Sequence, residues 1–241
     1  VPVAVSEPTV CRVAGHPSRV PSARRLAAAL LRSVCLLAPC LAAPAIAATP
    51  TVVDVPSRPA FVQPPGRSER PARVGDTLRE RSLIGTRTPG RLQVRLADGR
   101  SLRLGGDAVL RLQAGDLQLE KGRLIAWIAP GMPRRQPLRI RTRSATAAIL
   151  GTTVFVEVTP ERERIFSWEG TVAVRTAAGV DAVLNAGEQI LCERGVCGAP
   201  HPMPDQERRT RRSRSDLLNG FSAPMETLPL IDAALGTTAA P

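Results

Sequence analysis

AILGTTVFVEV, residues 148–158, sets an apolar run against a two-residue break and an immediate restart. Gly151 and Thr152 stop the run; Val154, Val156 and Val158 then alternate with Phe155 and Glu157. A period of two is the mark of a strand with one face buried, because successive side chains point to opposite faces. A strand that stops and restarts this quickly raises the question of what the break does. Glycine suits a corner because it accepts conformations and close approaches that a Cβ obstructs. The Thr152 hydroxyl can satisfy a local backbone group there. The corner is expected between a strand at 138–142 and one at 154–158, with Phe155 filling the core beside it. This is a structural reading of the motif, not a catalytic one.

The same habit extends in both directions. Leu92, Val94 and Leu96 alternate with Gln93 and Arg95, and Asp98-Gly99 follows as a hairpin turn. Leu102 and Leu104 continue until GGD at 105–107, which is expected to turn the chain. Leu110 and Leu112 lead to AGD at 114–116, a further turn; Leu117 and Leu119 follow, and Lys121-Gly122 precedes Leu124, Ala126 and Ile128. Leu138 and Ile140 resume with Arg139 and Arg141 facing the other way. Later segments stop at Pro160, Glu169-Gly170, Gly179 and Ala186-Gly187. Short period-two strands broken by turn signals every eight to twelve residues or so define an all-β class: a compact sandwich, a barrel or a β-helix-like fold. With four Phe, two Trp and no Tyr in 241 residues, the core must be aliphatic. Trp127 and Trp168 lie inside strand segments and are expected in the core, each needing a partner for its indole N–H if buried.

The flanks read differently. Arg24 and Arg25, the apolar stretches after them and the small residues Ala45 and Ala47 form a basic–apolar–small order, the pattern of an export signal cleaved after Ala47. A spanning helix needs about 20 apolar residues, and the run after Arg32 is shorter and contains Pro39 and Pro44. A retained single-pass anchor is the alternative. Residues 48–73 carry Pro50, Pro56, Pro59, Pro64, Pro65 and Pro71 and read as a Pro-rich linker. The β domain is expected at 74–197. Residues 198–241 read as a basic, low-complexity tail, solvated and disordered, in which Arg208, Arg209, Arg211, Arg212 and Arg214 crowd together. Within it, SDLLNG at 215–220 can start a short helix capped by Ser215.

Loss of residues 1–47 leaves two of the five cysteines, Cys192 and Cys197, a close pair in an exported chain and thus a candidate disulfide; two free thiols are the alternative. With His201 as the one remaining histidine, this pair offers too few ligands for a metal, and no cofactor is expected.

Five further segments in register with the opening stretch carry a resemblance. VGDTL at 74–78, the DG-S-L-x-L pair within 83–104, LQLEKGRLIAWI at 117–128, FSWEGTVAV at 166–174 and LNAGEQI at 184–190 flank the GT-x-F-x-V motif in one order. Residues from about 74 to 190 together resemble the FecR domain. The resemblance makes Gly151-Thr152 a sharp corner between two strands and assigns structural roles to Gly151, Thr152, Phe155, Glu169, Gly170, Gly187 and Glu188. It implies a module on the outer side of a bacterial envelope, at the end of a single-pass protein whose cytoplasmic part regulates a sigma factor. About 23 residues precede the apolar segment, too few for that cytoplasmic part, so the outer module alone is expected, periplasmic or extracellular.

Among function classes, catalysis lacks its usual signatures: no G-x-S-x-G, H-E-x-x-H or Gly-rich phosphate loop is present, and no catalytic residue is assigned. Asp98, Asp107 and Asp116 each adjoin a glycine; turn chemistry accounts for them unless they converge on a cation. The chain carries a net charge of +12, and Lys121 is its one lysine, a skew that reads as an Arg-rich composition rather than a selected surface. Aromatic platforms for nucleic acid are nearly missing, and no nucleic acid is expected as a partner. The leading expectation is a non-enzymatic binding, scaffolding or envelope-signalling module with a protein or envelope partner. The alternatives are a membrane-anchored sensor of the sigma/anti-sigma type and a protein that binds an anionic surface through its Arg-rich tail.

Overall fold

The structure is a computed structural model that describes residues 49–133 and 136–236. The export signal, the anchor alternative and Cys11, Cys35 and Cys40 lie outside the described residues. The described residues cluster as one unit. Its strands are β1 (Thr51–Ser57), β2 (Ala60–Gln63), β3 (Arg70–Pro71), β4 (Leu83–Thr86), β5 (Arg91–Arg95), β6 (Ser101–Leu112), β7 (Asp116–Trp127) and β8 (Leu138–Arg141). They continue with β9 (Ala145–Ile149), β10 (Thr153–Val158), β11 (Arg162–Glu169), β12 (Val172–Thr176), β13 (Asp181–Leu184), β14 (Glu188–Glu193), β15 (Val196–Cys197) and β16 (His201–Pro202). Three helices follow: α1 (Asp205–Arg214), α2 (Asp216–Asn219) and α3 (Leu228–Ala234). The all-β class holds. Every described strand pair is antiparallel except β7 with β8.

The long strands β6 and β7 organise the rest. The first part of β7 pairs with β8 through Asp116–Gln118, and its last part pairs with β10 through Gly122–Trp127. One branch runs from β8 to β9, β12 and β13; the other runs from β10 to β11, β14 and β15. Gly122 sits where the branches part, with φ +88°, and a Cβ there would run into the backbone of Ala108. Opposite it the pairing slips between Gly105 and Val109. GGD at 105–107 is therefore not a turn. It is a bulge inside β6, with Gly106 and Asp107 at positive φ, which bends the strand without ending it. Both branches bury one face in a common aliphatic core that includes Leu104, Leu124, Ile140, Val154, Val156, Ile165, Val172 and Ile190.

Both flanks depart from expectation. Residues 48–73 are not a linker: β1 pairs with β5, and β2 pairs with β3 and β4. Val52, Ala60, Phe61, Val62 and Ala72 are buried. The strands escape detection because two register shifts break the period of β1, and because β1 and β3 each have a single strand partner, the edge placement that accommodates proline. Residues 198–241 are not a disordered tail over their described part. Asp205 and Glu207 stand in the first turn of α1 and Arg211, Arg212 and Arg214 in its last, an order that suits the helix dipole. Arg211 pairs with Glu207 at 2.8 Å, Arg212 with Asp232 at 2.7 Å, and Arg208 with Asp205. The run of arginine is a helix held by ion pairs. The short helix expected at SDLLNG is α2, and the Ser215 hydroxyl accepts from Leu218 N at 3.2 Å.

Candidate functional site

The outer face of β7, β10 and β11 follows from alternation. When Leu124 and Ala126 point into the aliphatic core, Arg123, Ile125 and Trp127 point away; when Val154, Val156 and Val158 point in, Thr153, Phe155 and Glu157 point away. Strand pairing sets Glu157 beside both Arg123 and Arg164, and Phe155 beside both Ile125 and Phe166. The result is a charged row next to an apolar row. Phe166 and Trp168 meet edge to face with centroids 4.9 Å apart. Phe155 therefore does not fill the aliphatic core. It is half-buried and packs on the opposite side of the sheet.

The C-terminal segment covers most of this face. Met203, Leu217, Leu218, Met225, Ile231 and Leu235 join Ile125, Trp127, Phe166 and Trp168 in a second hydrophobic cluster. Polar anchors fix the cover. Arg103, 1% exposed, donates from Nε to Gln93 Oε1 at 2.8 Å, from Nη1 to the carbonyls of Leu217 and Leu218 at 2.9 and 3.1 Å, and from Nη2 to that of Ala223 at 2.7 Å. Its guanidinium also lies over the rings of Phe221 and Trp127. Burial pulls its pKa down to about 10 against the opposing pull of Asp54 and Glu226. The Asp54 carboxylate accepts from Ser222 N at 2.7 Å and Ala223 N at 2.9 Å, and Trp127 Nε1 donates to Glu226 Oε2 at 2.7 Å. Sequence reasoning missed Arg103 because three of its acceptors are backbone carbonyls more than a hundred residues away.

Part of the face stays open as a cavity of about 250 Å³ between the sheet and α1. Phe155, Phe166, Trp168 and Met203 form its apolar lining; Arg123, Arg211, Arg214 and Glu157 bring charge to it. Trp168 is 3% exposed and its Nε1 has no hydrogen-bond partner, a loss on the order of 1–3 kcal/mol for a buried donor. Both tryptophans are buried as expected, but only Trp127 has its partner. Nearby, burial and the neighbouring Arg211 depress the pKa of the Arg164 guanidinium.

The remaining motif residues lie as follows. Gly151 links β9, not the strand at 138–142, to β10. Thr152 Oγ1 donates to the Glu169 carbonyl, and Thr153 Oγ1 donates to Glu169 Oε1 at 3.0 Å. Gly170 has φ +68° and lies against the Thr152 side chain. Gly187 N donates to Ser167 O at 2.9 Å, and a Cβ on Gly187 would meet the Arg208 guanidinium of α1. The Glu188 carboxylate accepts from Asn185 N at 2.8 Å. Cys192 and Cys197 face each other across the β14–β15 hairpin as a disulfide. Asp98, Asp107 and Asp116 do not converge: Asp98 accepts from Arg100 N, Asp107 from Thr88, and Asp116 pairs with Arg141. His201 is exposed on β16, beside Gln189. Among the described residues no three His, Cys, Asp or Glu side chains gather as a metal site, and no helix is long and apolar enough to cross a membrane.

Residues 82–173 match the family model for the FecR protein, from the residue before β4 into β12. Over that stretch the chain is similar to the FecR domain. No curated protein matches it. Two crystal structures of a candidate anti-sigma factor from Parabacteroides distasonis ATCC 8503 are similar at 19% identity, over 54% and 57% of this chain, with TM-scores of 0.44 and 0.46. In each case the match spans 64% of that protein's chain.

Proposed function

We propose that this chain is an exported, non-enzymatic FecR-type module that acts by binding a protein partner in envelope signalling. The observation that carries the reading is the FecR match over residues 82–173, a domain of regulators. The disulfide supports an oxidising compartment. The aromatic face, closed by the chain's own C-terminal segment except at one cavity, supports binding rather than chemistry. Attachment to a polyanion through the Arg-rich segment is the weaker reading, because Arg208, Arg211 and Arg212 are engaged by Asp205, Glu207 and Asp232. The test is fractionation of native cells after in-cell crosslinking, with sequencing of the mature N-terminus. The expected result is a chain that begins near Ala48 in the periplasmic fraction and is crosslinked to an envelope protein. An intact chain in the cytosol would overturn the reading.

A further inference from the structure

The cavity beneath α1 joins three features that packing alone does not require. Its lining is aromatic and thioether: Phe155, Phe166, Trp168 and Met203. Its lining carries three guanidiniums, those of Arg123, Arg211 and Arg214, and the carboxylate of Glu157. Asp216 engages Arg123 and Glu207 engages Arg211, but Arg214 is exposed and forms no ion pair among the described residues. The third feature is a buried indole N–H, on Trp168, without an acceptor.

We propose that this cavity is a ligand site for a small amphiphilic carboxylate: an aryl or short acyl group that ends in one carboxylate. The inference rests on reading the chain as a binding module and names what this site takes. The apolar body packs on Phe155, Phe166 and Trp168, and Arg214 meets the carboxylate with its planar fork, which matches two oxygens at once. Size limits the ligand. At about 250 Å³ the cavity falls below the roughly 300 Å³ at which sites for drug-sized ligands begin, so the body is one ring or a short chain. Charge limits it as well, because a second acidic group would approach Glu157. A neutral apolar ligand would leave the Arg214 side chain without use. The Trp168 ring belongs to the cavity wall, and its N–H is buried without a partner, so its resonance reports on what fills the cavity.

The experiment is a titration of the full chain with 3-phenylpropionate and, separately, with its neutral amide, read by the indole N–H resonances in ¹⁵N-labelled protein. Trp168→Phe serves only to assign its signal. The expected result is a saturable shift of the Trp168 resonance with a Kd below about 1 mM, an affinity within reach of so small a ligand. Arg214→Gln should weaken the acid at least about tenfold, the worth of a charge-assisted pair, and leave the amide, already weak, unchanged. Arg214 is exposed at the end of α1, so its variant should keep the parent spectrum elsewhere. Absence of a saturable shift in the folded parent, or equal affinity of Arg214→Gln for the acid, would overturn the proposal. The two readings fail separately. A folded, exported chain that ignores the acid removes the ligand and keeps the module; a cytosolic chain that binds the acid does the reverse.

Discussion

Arg103 and Leu104 are consecutive in β6 and fully buried, yet they serve two cores built on different principles. Leu104 points into the aliphatic cluster, whose buried members are all Val, Leu, Ile and Ala. That core closes on itself: each strand brings one apolar face, and burial of area suffices without directional bonds. Arg103 points into the second cluster, where one wall is sheet and the other is the C-terminal segment. Short helices separated by loops cannot satisfy their own carbonyls, so the sheet supplies a guanidinium to do it. Apolar area holds the first core, and the second also needs named polar partners.

The largest expected effects test that contrast at these two residues. Leu104→Ala should cost about 2–5 kcal/mol, the range for a truncated core leucine, and lower the whole unfolding transition in urea. Arg103→Leu should cost roughly 3–5 kcal/mol, because it leaves buried carbonyls of Leu217, Leu218 and Ala223 without a donor. Its signature should differ. Limited proteolysis under native conditions should cut residues 203–235 first, while the β signal in circular dichroism persists. If Arg103→Leu leaves that segment as protected as the strands, the two cores are one cooperative unit and the contrast fails.

The aliphatic core was largely legible from residues and the aromatic one was not. Alternation placed Leu92, Val94, Leu102 and Leu104 correctly, because period two is a local property of the strand. The same alternation required Phe155 to face away from Val154 and Val156. What was not legible was anything for it to pack against. The opposing wall comes from Met203 and from the short helices that follow the Arg-rich α1, where the apolar residues Leu217, Leu218, Ile231 and Leu235 are too scattered to announce a buried face. The cavity was illegible for the same reason, since Arg214 and Trp168 come together only when the segment folds back. At the other end, bulges and edge prolines hid β1 to β3.

The disulfide gives a smaller test confined to one side of the comparison. Cys192 is buried in line with Ile190, and Cys197 packs against the aliphatic core. Closing so short a loop stabilises by about 2 kcal/mol through the unfolded chain. Reduction should therefore shift urea unfolding by about that amount and leave the protease sensitivity of residues 203–235 unchanged. Peptide mapping without reductant should recover the two cysteines in one linked fragment. Earlier cleavage of the C-terminal segment on reduction would show that the bond holds the second core as well.

Glu169 offers the smallest effect and the sharpest sign, because it sits at the seam. Thr153 Oγ1 donates to its Oε1, and Thr227 of the C-terminal segment places its own hydroxyl 2.7 Å from that Thr153 oxygen. Burial pushes the Glu169 pKa above its ordinary value, and the bonds from Thr153 offset this only in part. The fold therefore favours the protonated acid. Below the unfolded pKa, about 4.3 for glutamate, both states hold the proton and ionisation costs nothing. As pH rises the unfolded chain loses its proton first, so stability falls until the folded pKa is passed, and the penalty is then constant. Glu169→Gln keeps an acceptor for Thr153 and removes the ionisation. The variant should exceed the parent at pH 7 by less than about 1 kcal/mol, the scale of one hydrogen bond, and the difference should vanish toward pH 4. Thermal unfolding of both proteins from pH 4 to pH 8 measures the slope. A variant less stable than the parent at pH 7 would mean that the carboxylate charge itself holds the seam, and the anchors of the aromatic core would then include an ionised Glu169.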